Sequence, residues 1–449
     1  MDPTIVQILR DFNIDDYLPV VPRDLDLGET PPPRTGNLVK VIIGMRRSGK
    51  SFRLLQEMIK LHDEDVPWSR ICYFNFEDDR LGRVTTSTGD AVIQAFRDEH
   101  PESAEKGVYY FFDEIQEMDG WSAWMRRMVD TQKATFYLTG SSSKLLSDEI
   151  GTEFRGRALE FELLPLSFAE YLRFVGLDVG LIKTTNGRSR LQNALQTYLE
   201  CGGFPDAIRL SMPLRVTLLQ SYASRVAAKD VVERHGLKGL EAASAISQRL
   251  LELNGCQLSL RKMESYLRSQ GLNTARASIA NIVNYLSAAY LAFLVEERRI
   301  EKPKVSQNRK VYAIDPGLAL ANAKAGSNNE GQRLEDAVYL ELRRRTVGLR
   351  ENAISSYRTS RHQYEVDFLV GDGVLGEVPA LYQVCASLDS QETRERELRA
   401  LVEAADETGI DDLILIVGSG EGEEIDFDEK RIRVVPAIEW FLRTAKPES

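Results

Sequence analysis

Gly44-Met45-Arg46-Arg47-Ser48-Gly49-Lys50-Ser51 fits the pattern G-x-x-x-x-G-K-[ST]. Gly44 and Gly49 allow the backbone angles that turn successive N–H groups inward around phosphate oxygens. Met45, Arg46, Arg47 and Ser48 complete that cradle. Lys50 is expected to reach the β- and γ-phosphates of ATP, and the Ser51 hydroxyl to ligate Mg²⁺. The sequence that follows, SFRLLQEMIKL, predicts a helix whose N-terminus adds positive dipole at the same place.

Further along, Val108 to Phe112 is an apolar strand that ends in Asp113-Glu114. Asp113 is the expected Mg²⁺ holder, directly or through water, and Glu114 the general base that polarises the attacking water. A glutamate there favours hydrolysis over a passive nucleotide switch. The next strand ends in Leu138-Thr139-Gly140-Ser141-Ser142-Ser143. A polar residue at that edge can orient the lytic water; Ser141 is the first choice and Thr139 its competitor, against the plainer reading of a helix N-cap. Arg155-Gly156-Arg157 precedes the fifth strand. Arg155 or Arg157 could serve a neighbouring subunit as an arginine finger, a role worth about 10³–10⁵ in rate; solvated surface arginines are the plainer alternative.

These residues need a sheet to hold them. VKVII (39–43), ICYFNF (71–76), VYYFF (108–112), TFYLT (135–139) and LEFELL (159–164) are short apolar runs separated by helical stretches. That alternation predicts βαβ units on a largely parallel sheet over 37–165. Residues 1–36 read as an N-terminal helix and a linker, with Pro31-Pro32-Pro33 marking a boundary. Residues 166–240 read as a helical connector. Residues 241–324 give helix, Gly-Leu-Asn turn, helix and hairpin, the order of a winged helix, ended by Asp315-Pro316-Gly317. Its expected basic residues are Arg261, Lys262, Arg268 and Arg276 on the helices, with Arg298, Arg299, Lys302, Lys304, Arg309 and Lys310 around the wing. Glu296, Glu297 and Glu301 dilute them, and winged helices also dock proteins. After a polar linker (325–332) the chain returns to α/β through 449.

Together GMRRSGKS, FFDEIQE, LTGSSSKLL, RGRALEFELLPLSFAEYL and GGFPDA resemble a family of prokaryotic AAA+-like P-loop ATPases. Its members carry an all-α, winged-helix middle and a C-terminal domain similar to PD-(D/E)xK nucleases. The resemblance runs over nearly the whole chain from about residue 37. It implies the roles given above for Gly44 to Ser51, Asp113, Glu114, Ser141, Arg155 and Arg157. It also implies homo-oligomers, up to hexameric rings. Gly202-Gly203-Phe204-Pro205 belongs to the pattern and reads as a turn without chemistry. The nuclease-like pattern points to Glu335 and Asp367 as candidate metal ligands, with Gln383-Val384-Cys385 at the (E/Q)-x-K position. Cys385 stands where the lysine belongs, and a neutral thiol supplies neither its cation nor its proton handling. Shape retained with catalysis lost is therefore the expectation. Glu365, which shares a strand face with Asp367, and Glu377 are alternative acids.

The formal net charge of −11 argues against a generally cationic surface while allowing a local basic face. Four separated cysteines, Cys72, Cys201, Cys256 and Cys385, suit reduced thiols, not a disulfide or zinc framework. The N-terminus does not read as a signal peptide and no run approaches a membrane span, so a cytoplasmic protein is expected. The chain so read is an α/β Mg²⁺-dependent ATPase that assembles and remodels or translocates on DNA. The rival readings are a nucleotide-switched scaffold whose C-terminal domain binds protein, and an ATP-driven DNA nuclease.

Overall fold

The computed structural model describes residues 2–140, 156–299, 309–324, 329–346, 353–371 and 379–443. Contacts divide the chain into two units, Met1–Leu163 and Leu164–Ser449.

The first unit is built on a five-stranded sheet ordered β2-β3-β4-β1-β5, with every neighbouring pair parallel. The strands are β1 (Val39–Ile43), β2 (Ile71–Asn75), β3 (Val108–Asp113), β4 (Ala134–Gly140) and β5 (Ala158–Glu162). β1, β3 and β4 are buried throughout, as runs of β-branched and aromatic residues require when helices cover both faces. The helices Lys50–Asp63, Thr86–Glu99 and Trp121–Thr131 supply that cover. Because the strands are parallel, the segments leaving β1, β3 and β4 emerge at one edge.

The N-terminal segment belongs to this unit. The helix Pro3–Asp11 sends Ile5 and Ile8 into the same cluster as Val92, Phe96 and Tyr110. The stretch read as a boundary linker is a strap along the sheet and the helix Lys50–Asp63. Lys40 Nζ donates to the Glu29 carbonyl at 2.6 Å, Arg53 Nε to the Leu25 carbonyl at 3.0 Å, and Thr30 Oγ1 to Glu57 at 2.9 Å. Backbone carbonyls of an irregular segment thus take up N–H donors of buried cations on the strand and the helix.

The second unit carries helices and a nine-stranded sheet ordered β13-β14-β12-β11-β10-β9-β7-β8-β6. The helices Leu240–Glu252, Leu260–Ser269 and Arg276–Ala288 are interleaved with β6 (Cys256–Leu258) and followed by the antiparallel hairpin of β7 (Ala292–Arg298) and β8 (Arg309–Ala313). β7 also pairs in parallel with β9 (Ile354–Arg358), so the hairpin is continuous with the C-terminal strands. These are β10 (Glu365–Val370), β11 (Ala380–Cys385), β12 (Asp412–Val417), β13 (Glu423–Phe427) and β14 (Lys430–Pro436). β13, three acids and two apolar residues mixed at the sheet edge, carries too little apolar signal to be read from sequence. The helix Glu330–Arg345 begins inside the stretch expected to be linker, capped by Asn329 and Gln332.

Asp315 does more than end a hairpin. Its carboxylate accepts from Gly203 N at 2.5 Å and from Leu318 N at 2.8 Å, capping the helix Pro316–Asn322 while gripping the GGFP turn. Gly202 has φ +75°, and a Cβ there would lie 2.0 Å from Asp315 Oδ1. The glycine pair is therefore a packing requirement.

Candidate active site

The phosphate loop leaves β1 and enters the helix Lys50–Asp63. Gly44 is indispensable on steric grounds, because a Cβ would come within 2.3 Å of the Leu163 carbonyl oxygen. Gly49, the helix N-cap, has φ +96°. Its surroundings are tightened by Arg23 of the strap, whose Nη1 donates to the Ser48 carbonyl at 2.7 Å. Met45 and Ser48 are buried, and the Ser48 hydroxyl has no hydrogen-bond partner. Arg47 takes φ +71°, and Arg46 is held by Glu77 at 2.8 Å and Glu117 at 3.2 Å.

Lys50 Nζ is buried and points back into the loop, 3.3 Å from the Gly44 carbonyl and 3.2 Å from that of Met45. It also stands 3.5 Å from Glu114 Oε1. Asp113 ends β3 fully buried; it takes hydrogen bonds from Thr139 Oγ1, from Tyr73 Oη at 2.9 Å and from the Ser51 hydroxyl. Burial, with the neighbouring Glu114 charge, raises its carboxyl above the ordinary range despite those donors. Glu114 behaves oppositely. Burial alone would raise it, but Lys50 and Arg46 outweigh burial and hold it low, hence ionised. Its backbone is left-handed at φ +51°, a strained conformation for a non-glycine residue, and its N–H donates to Thr139 Oγ1 at 2.9 Å. The pair thus sets a carboxylate held by Lys50 and Arg46 beside a buried one that accepts from three hydroxyls.

These residues fit Mg²⁺ with a nucleoside triphosphate. An orphaned buried hydroxyl, a lysine with long bonds to loop carbonyls, and Ser51 with Asp113 at the same edge are the donor set such a ligand requires.

The sequence missed two members of the site and offered a third in another role. Thr139 was the competitor to Ser141 for orienting the lytic water; its hydroxyl lies between Asp113 and the Glu114 N–H, so it positions both acids. Ser141 and Arg155 lie outside the described residues. Tyr73 and Arg23 carry no motif and were not foreseen. Arg157 pairs with Asp130 and lies just before β5, whose start faces the start of β1. It sits at the sheet edge opposite the phosphate loop, a strand length of about 16 Å away.

In the second unit, Glu335, Glu365 and Asp367 do converge, but around a residue expected elsewhere. Lys310, read as a surface cation of the wing, is buried with Nζ 2.6 Å from Glu335, 2.8 Å from Glu365 and 3.2 Å from Asp367. Burial, then the Glu335 charge, pushes Asp367 up to about 8. Gln383 bridges Asp367 N and Glu397, and the Cys385 thiol turns to the Ser387 carbonyl. Glu377, Glu301, Lys302 and Lys304 lie outside the described residues. Among the basic residues expected on the helices, Arg268 and Arg276 both bind Glu264, while Arg261 and Lys262 are exposed.

A phosphate loop facing two acids on a parallel sheet in this strand order defines an AAA-type P-loop ATPase domain, and residues 36–172 match the family model described as AAA domain. Residues 192–329 match a second model, described as a domain of unknown function (DUF8612). The chain belongs to the family of the Methanocaldococcus jannaschii protein MJ1544, with 34% identity over 443 residues, covering 97% of this chain and 94% of that protein. A Haemophilus influenzae protein is 30% identical over 336 residues, 74% of this chain and 79% of its own. Among solved structures, the Walker-type ATPase PABY2304 of Pyrococcus abyssi aligns with TM-score 0.42 and 15% identity, over 63% of this chain and 90% of that one. The Thermotoga maritima RuvB Holliday junction branch migration motor aligns with TM-score 0.28 and 16% identity, over 60% and 85%. Likenesses this loose say nothing of what this chain acts on. Among the described residues no helix is long and apolar enough to cross a membrane.

Proposed function

We propose that the chain is a Mg²⁺-dependent ATPase that assembles as a homo-oligomer and remodels or translocates on DNA. One observation carries the hydrolytic part: Glu114 stands 3.5 Å from Lys50 Nζ of the phosphate loop, next to the buried Asp113 to which the Ser51 hydroxyl donates.

The N–H groups of Gly44 to Ser51 and the N-terminus of Lys50–Asp63 bind the phosphates. Lys50 exchanges its long bonds to the Gly44 and Met45 carbonyls for the γ-phosphate. Ser51 and Asp113 would hold Mg²⁺, which would supply positive charge to the phosphates. Glu114 accepts a proton from the water that attacks the γ-phosphorus, the bond from that phosphorus to the bridging oxygen breaks, and ADP carries the electron pair away. A general base of this kind contributes about 10²–10⁴ in rate.

The base of the nucleotide rests on the strap. Tyr17, Leu18 and Phe52 are 42%, 51% and 47% exposed, and the Tyr17 and Phe52 rings meet edge-on at 6.3 Å. Phe52 directly follows Ser51, so this uncovered aromatic face adjoins the phosphate site. Arg155 and Arg157 are assigned to a neighbouring subunit's phosphates. For Arg157 this requires release from Asp130, consistent with its distance from the loop of its own chain.

The DNA reading rests on the second unit: a helix-turn-helix with a hairpin, on which Arg261 and Lys262 stay exposed. The C-terminal strands, with a PD-(D/E)xK-like arrangement of acids, would add contacts without cutting. ATPase rates with single-stranded, duplex and branched DNA test this, beside gel shifts of wild type and of Arg261→Glu/Lys262→Glu. Stimulation by one structure, lost in the double variant, is expected. A rate indifferent to every DNA offered, with no gel shift, rejects it.

A further inference from the structure

Three C-terminal acids, Glu335, Glu365 and Asp367, converge on one point, and that point is already filled. An ammonium has three N–H donors. Those of Lys310 find one carboxylate each: Glu335 at 2.6 Å, Glu365 at 2.8 Å and Asp367 at 3.2 Å. Each acid takes a second donor as well. Asp367 Oδ2 accepts from Val384 N at 2.9 Å, Glu365 Oε2 from Arg358 at 2.5 Å, and Glu335 from Tyr312 Oη at 2.6 Å. Gln383 brings a neutral amide where an acid would add charge, and spends it on Glu397. Among the described residues no group of three or more His, Cys, Asp or Glu is arranged to hold a metal ion.

A second cation cannot share this space. Unit charges about 3 Å apart repel strongly wherever solvent is excluded, and the Lys310 side chain is only 7% exposed. Moving the lysine out would leave an ammonium to find new partners and the acids to lose theirs. The position of the lysine matters too. It comes from β8 of the hairpin, whereas its acids lie on β10 and the helix Glu330–Arg345. The same contacts therefore fasten the hairpin to the C-terminal strands.

We propose that Lys310 is a built-in counter-ion that stands in the place of a divalent cation, so that this site is metal-free and serves to fasten the hairpin rather than to cleave phosphodiesters. This goes beyond the ATPase reading and does not rest on it. It carries a definite consequence: removing the ammonium should turn the three acids into a cation site.

Mn²⁺ binding to the full chain without nucleotide, counted by electron paramagnetic resonance, tests this. Wild type and Glu365→Gln should bind the same number of ions. Lys310→Met should bind one more, lost again in Lys310→Met/Asp367→Asn, and its lowered melting temperature should be recovered by Mn²⁺ but not in the double variant. The proposal is overturned if Glu365→Gln binds one ion fewer than wild type, or if a folded Lys310→Met gains none. Should Lys310→Met fail to fold, the wild-type and Glu365→Gln comparison still decides, since Glu365 is the most exposed of the acids at 29%. DNA cutting by wild type with Mn²⁺ that Lys310→Met abolishes would also overturn it.

Discussion

Tyr73 Oη donates to Asp113 Oδ2 across 2.9 Å, so a phenol on β2 steadies the acid that ends β3. Burial and Glu114 raise the Asp113 carboxyl, and the bonds from Ser51, Thr139 and Tyr73 work against that rise. Each favours the ionised form that a cation needs. Tyr73→Phe removes one of them, so Asp113 rises further and is ionised over a narrower range at the acid end. The low-pH limb of ATPase activity is predicted to move to higher pH, with apparent Mg²⁺ affinity about 10-fold weaker, as expected for a bond to a charged group. Rates across pH at several Mg²⁺ concentrations check this; an unmoved limb contradicts it.

Thr139 serves both acids through one hydroxyl, donating to Asp113 and accepting from the Glu114 N–H. Thr139→Val leaves that buried N–H unpaired and loosens the strained backbone of Glu114. Turnover should fall about 10–100-fold, the scale of one or two lost hydrogen bonds, while ATP affinity changes less than about threefold. Thr139→Ser should restore most of the rate. If affinity falls as much as turnover, Thr139 is not a positioning residue.

The contrast between Lys50 and Lys310 shows what sequence reveals here. Lys50 lies within an eight-residue pattern, and its strand and helix can be read from local apolar periodicity. Asp113 and Glu114 were legible for the same reason, as was the parallel sheet of the first unit. Lys310 sits in an ordinary strand pattern among surface-like charges, and only the pairing of distant strands buries it against Glu335 and Asp367. Tyr73, Arg23 and Thr139 share that limit: each acts through a partner remote in sequence, and no spacing rule joins them. The strap was hidden differently. Its prolines and turn residues look like a linker, and its role arises from backbone carbonyls, which every residue has.

Tyr17→Ala and Phe52→Ala separate the base from the phosphates. Loss of one stacking surface is worth about 1–3 kcal/mol, so ATP should bind roughly 10-fold or more weakly. Inorganic tripolyphosphate should bind as to wild type. Calorimetry with both ligands checks this. Equal weakening of both would mean that the strap acts on the loop and not on the base.

Gly202→Ala places a methyl group against the Asp315 carboxylate at a backbone conformation that disfavours it. The cost should be at least about 1–3 kcal/mol. Melting followed by circular dichroism should fall by several degrees, with ATP affinity of the folded protein unchanged. A melting temperature equal to wild type contradicts the grip of Asp315 on the GGFP turn.

The most direct test of the central claim compares wild type with Glu114→Gln for both ATP binding and turnover. Wild type should hydrolyse ATP in Mg²⁺. Glu114→Gln should bind ATP within a few-fold of wild type, turn over about 10²–10⁴ times more slowly, and hold the ATP-bound oligomer long enough to be weighed. Turnover by Glu114→Gln at the wild-type rate, or no ATP bound by wild type at all, would contradict the account.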